Sequence, residues 1–95
     1  MNSEEMKILA EAHGWHKYTG SYGIEFYAGR NEDDMAVYLR EEWRLTDAGA
    51  ARVIDEARLT VVPYPHDNKW HVLGERPKAT LHIAVAEARL AQLRT

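Results

Sequence analysis

The chain contains no cysteine. That absence removes disulfides, thiolate nucleophiles, iron–sulfur clusters and cysteine-based zinc sites. It also favours a reducing compartment, because secreted domains this small often depend on disulfide staples. No apolar stretch approaches the roughly 20 residues that a bilayer-spanning helix needs. The opening segment MNSEEMKILAEAHGW is acidic and lacks the basic head and apolar run of a signal peptide. A cytoplasmic location is the expectation. Basic clusters are missing as well: 12 Lys and Arg are scattered among 15 Asp and Glu, for a net charge of −3. Nucleic-acid binding draws most of its affinity from cations that neutralise phosphates, so nucleic acid is not an expected partner. The sequence has no GxSxG, no phosphate-cradling glycine loop and no HExxH. Neither a catalytic centre nor a cofactor is expected.

What remains is an ordinary folding composition, 45% hydrophobic and 28% charged over 95 residues. One domain covering 1–95 is the expectation, since a chain of this length has no second core to offer.

Residues 3–13 read as a short helix. Ser3 suits its cap, Glu4 and Glu5 suit its positive end, and Gly14 stands where a closing glycine is common. Residues 22–28 (YGIEFYA) alternate in the manner of a half-buried strand, with Ile24, Phe26 and Ala28 opposed to Glu25 and Tyr27. After the turn GRNEDD, Met35, Val37 and Leu39 alternate again, which makes a hairpin. A helix over 34–43 is the alternative, because Met35, Leu39 and Trp43 fit that period too.

Thr46 caps a second helix over 46–58 with Ala50, Val53, Ile54 and Ala57 as its apolar stripe. Residues 59–64 and 70–73 read as strands joined by a polar turn, with Pro63 marking an edge. Pro77 opens a last helix over 78–93 that is apolar on more than one side, the mark of a central core helix or of self-association into a homodimer. The fold class is α+β: about three helices packed on a small, mainly antiparallel sheet.

Two clusters are candidate sites. Asp33 and Asp34, then Glu41 and Glu42, are the densest acids, and Trp43 follows them directly. If the hairpin brings these groups together, acid can steer a basic protein surface while the aromatic supplies buried area. The alternative is a divalent-metal site at the mouth of the second hairpin, where His66, His71 and Asp67 supply nitrogen and oxygen donors. Either a metal-binding protein or a metal-dependent enzyme would follow from that.

The stretch 22–57, a hairpin and then Arg44-Leu45-Thr46-Asp47-Ala48-Gly49 before a helix, resembles the wing region of MarR-like winged-helix DNA-binding proteins. Only about 20 residues precede it, too few for the helices that such proteins place before the wing. The acid at its tip would repel phosphate, so the likeness is read as shared capping chemistry.

A wider set of features runs from Ala12-His13-Gly14-Trp15 through the Thr46-Asp47 helix and the paired strands to Ala84-Val85-Ala86-Glu87-Ala88-Arg89-Leu90. In these the chain resembles the phage ABA-sandwich domain family, small phage and prophage proteins. The resemblance implies helices on both sides of a small sheet. It implies no catalytic residues. The expected function is a non-catalytic protein-binding module, a phage or prophage accessory protein that docks on a host or phage protein. An inhibitor of a bacterial defence system, such as an anti-CRISPR protein, fits that expectation.

Overall fold

The computed structural model describes residues 1–39, 41–64, 69–72 and 80–94. Helix α1 (Ser3–His13) is followed by strands β1 (His16–Thr19), β2 (Glu25–Ala28), β3 (Met35–Leu39) and β4 (Trp43–Leu45). Helix α2 (Asp47–Ala57), strands β5 (Val61–Tyr64) and β6 (Lys69–Val72), and helix α3 (Leu81–Arg94) complete the chain order. The fold is α+β, as expected. None of the described helices is long and apolar enough to cross a membrane.

Asn2, not Ser3, caps α1. Its side chain accepts from Glu5 N–H at 2.8 Å, and the Glu5 carboxylate accepts from Asn2 N–H at 3.2 Å. A cap at Ser3 would find the Met6 N–H but no side chain to return a bond to its own N–H, whereas the cap at Asn2 has Glu5 for both. The Asn2 N–H, and after it Arg94, hold the Glu5 carboxyl below its ordinary range. A carboxyl lowered in the folded state stabilises fully above its unfolded pKa and loses that contribution as pH falls through the lowered value. We therefore expect Asn2→Ala to cost about 1 kcal/mol at neutral pH. Glu5→Gln should flatten the acid limb of stability against pH in urea melts.

The first sheet is an antiparallel meander in the order β1-β2-β3-β4, and β5 pairs with β6 in a separate hairpin. The hairpin reading of 22–39 holds, and the helix alternative over 34–43 does not. Strand β1 and the three-residue β4 are not expected from the pattern: β1 (HKYT) has no alternating apolar residues, and β4 is too short to show a period. The strand faces also differ from expectation. Tyr27, read as solvent-facing, packs on the core and against Trp43, with ring centroids 5.2 Å apart. Phe26 stacks on Tyr18 across the strands, and Ile24 is 43% exposed. A β-bulge between β2 and β3 resets the alternation, so Ala36 and its neighbour Val37 are both fully buried while Met35 is 40% exposed.

The three described helices share one core with the sheet: Met6, Leu9, Val53, Val85 and Leu90 meet Val37, Trp43 and Leu45. Helix α3 contacts α1, α2, β4 and β6, and its buried alanines 84, 86 and 88 let those neighbours approach closely. It is the central core helix. Helices on both sides of the sheet, as the phage-family resemblance implies, are not what the described residues form; their helices gather on one face around this core.

Candidate docking cleft

A cleft of about 620 Å³ opens where edge strand β4 faces the first turns of α3. Trp43, Leu45, Ile83 and Ala86 form its apolar lining, and Met1 and Tyr38 extend it at the ends. Ile83 is 46% exposed, an aliphatic side chain held open to solvent. Four carboxylates line the same space, from Glu5, Glu42, Asp47 and Glu87, against the Arg44 guanidinium, His82 and the Met1 amine.

The walls are pinned by polar contacts. The Met1 amine donates to Trp43 O at 3.3 Å, which ties the chain start to β4. Asp47 Oδ1 and His82 Nε2 lie 2.7 Å apart and join the start of α2 to α3. Glu5 pairs with Arg94 at 3.3 Å, and Glu42 with Arg44 at 3.3 Å. Thr46 holds α2 on the sheet: its hydroxyl donates to Met35 O at 2.9 Å and accepts from Gly49 N–H at 3.0 Å. The Thr80 hydroxyl accepts from Ile83 N–H at 3.3 Å. Both hydroxyls beside the Asp47–His82 pair thus serve the backbone.

The acids singled out in the sequence do not converge. In a meander, successive turns fall at opposite ends of the strand between them. The turn carrying Asp33 and Asp34 precedes β3, and the turn carrying Glu41 and Glu42 follows it, roughly 17 Å away along five residues of strand. Asp34 is committed to structure. It pairs with Arg52 of α2 and accepts from Arg30 N–H at 3.1 Å, while Asn31 Oδ1 accepts from Asp33 N–H at 3.0 Å in the same turn. Trp43 is only 5% exposed, so its ring belongs to the core and lines the cleft from within. Glu42 is the one acid of that set on the cleft wall. Glu25, at the same end of the sheet as the Glu41 turn, is held by Lys17 at 2.8 Å. His66 and Asp67 lie outside the described residues, and His71 is described only by its backbone pairing with Val62 in the second hairpin.

The cleft itself escaped the sequence reading. Ile83 looked like one more core position of α3, and nothing local shows that β4 stops short of covering it. No family model matches the chain, and no curated protein or solved structure matches it.

Proposed function

We propose that the protein is a non-catalytic docking module that seats an apolar side chain of a basic protein surface in the cleft between β4 and α3. The observation that carries this reading is an open apolar floor, with Ile83 46% exposed, inside a rim whose four carboxylates outnumber the Arg44 and Met1 cations. Exposed apolar surface within a polar rim is the usual anatomy of an interaction site. The rim selects lysine or arginine around the anchoring residue and speeds encounter with it. The partner proposed is a host or phage protein, as expected from the sequence likeness to small phage proteins, and a bacterial defence protein is its specific form.

The test begins with a tagged chain used to capture its partner, followed by titration of the purified pair. Ile83→Arg fills the floor with a cation and should weaken binding at least tenfold, or about 1.4 kcal/mol. Glu42→Lys should slow association and reduce its salt dependence, whereas Asp33→Lys, at the far end of β3, should do neither. Equal affinities for the native chain and Ile83→Arg would remove the cleft from the argument.

A further inference from the structure

The face of the meander turned away from the described helices carries a row of side chains in register across all four strands. Tyr18 pairs with Phe26, Phe26 with Tyr38, and Tyr38 with Arg44. Cross-strand partners point to the same side of a sheet. This row therefore stands on the face opposite Val37 and Leu45, and none of its members belongs to the core cluster. Tyr18 and Phe26 stack at 5.5 Å between centroids, 20° from parallel. Alternation puts the exposed Ile24 on the same side, and the bulge, which pairs Met35 with Ala28, brings the exposed Met35 there too. An antiparallel sheet can show one face to water, but that face is then normally polar. Here three aromatic rings and a guanidinium occupy its midline.

We propose that this face pairs with the same face of a second copy of the chain. The order of the row selects the occupant. Two sheets related by a two-fold axis parallel to the strands meet with the row reversed. Tyr18 of one copy then opposes Arg44 of the other, and Phe26 opposes Tyr38. Every contact is aromatic on aromatic or guanidinium over ring, both favourable pairings. A two-fold axis along the row would instead stack Arg44, with its Glu42 partner, on Arg44 and so forgo every guanidinium–ring contact. In the reversed arrangement Glu42 of one copy lies over Gly20 of the other, so no acid meets an acid there.

The surface is small. Four strands about 4.8 Å apart and four residues of about 3.3 Å project to roughly 19 by 13 Å. A standard interface buries about 800 Å² per partner, so this dimer dissociates on dilution.

Sedimentation equilibrium on the full chain, from about 1 μM to 1 mM, spans the affinities such an interface reaches. The weight-average mass should climb from 10.9 kDa toward twice that value. Tyr18→Glu sets a carboxylate opposite Arg44 and should retain the dimer. Tyr18→Lys sets cation against cation and should weaken it at least tenfold, and adding Arg44→Glu to Tyr18→Lys should restore it. Far-UV circular dichroism confirms that each variant is folded. A native chain that stays monomeric throughout, or Tyr18→Glu and Tyr18→Lys variants that behave alike, would overturn the proposal. Tyr18 lies two strands from the nearest cleft residue, so Ile83→Arg should leave self-association unchanged. Tyr38 and Arg44 belong to both surfaces, whereas Tyr18 lines only the row and Ile83 only the cleft, so variants at Tyr18 and Ile83 test the two readings separately.

Discussion

Gly49→Ala is expected to destabilise the protein by about 1–3 kcal/mol or more, although the exchange would stabilise most exposed helices. Gly49 is buried in the first turn of α2, where a Cβ would overlap the carbonyl oxygen of Ala36 and come within 2.8 Å of its carbon. The obstacle is backbone in the middle of the sheet, with no flexible side chain to swing aside. Helix α2 would have to lift from β3, and in doing so would strain the Thr46 bonds to Met35 and Ala36. Lost glycine entropy in the unfolded chain works in the opposite direction, by up to about 1 kcal/mol. The sign of the measured change therefore decides which effect wins. Urea midpoints at constant slope give it, and a variant as stable as the native chain would show that α2 does not rest backbone-to-backbone on β3.

The second large effect is predicted at His13, whose side chain is only 1% exposed at the end of α1. Its Nδ1 meets the Glu56 carboxylate of α2, and its Nε2 accepts from Arg89 Nε of α3 at 3.2 Å. Its ring stacks on Trp15 with centroids 5.1 Å apart. A guanidinium only donates, so Nε2 must present a lone pair and the proton sits on Nδ1, directed at Glu56. One imidazole thus joins all three helices. His13→Ala removes both bonds and leaves a void beneath Trp15, and should cost roughly 2–4 kcal/mol. His13→Phe keeps the volume and the stacking but neither bond, so a loss of about 1–3 kcal/mol isolates the polar share. Urea melts of the two variants measure this, and a Phe variant matching the native chain would reduce His13 to packing. Nitrogen shifts of the imidazole check the tautomer independently.

His13 also shows where sequence reasoning stops. His13 stands three residues before His16, around a glycine, and that spacing matches no defined ligand motif. Its partners stand 43 and 76 residues away, and nothing near position 13 announces them. Asp34 teaches the same lesson in reverse. It looked like a free acid in a polar turn, but its carboxylate is tied to Arg52 on α2. An acid-rich turn is visible locally, whereas the availability of each acid depends on what the chain brings beside it.

Short-range chemistry was readable from the residues alone: the extent of α1, the Thr46 cap, the strand character of 35–39, the second hairpin and a closing helix apolar on several sides. These features depend on dihedral preference, side-chain period and hydrogen bonds spanning three or four residues, all of which are properties of the local chain. Three other features took the assembled fold to decide: the burial of Trp43, the separation of the two acidic turns and the register that aligns Tyr18, Phe26, Tyr38 and Arg44. The reason is one of geometry. A single bulge residue exchanges the faces of a strand, and a meander sends successive turns to opposite ends. Neither event leaves a mark on composition or period. The cleft and the aromatic row are consequences of how the strands pair, and pairing is settled by the whole core at once.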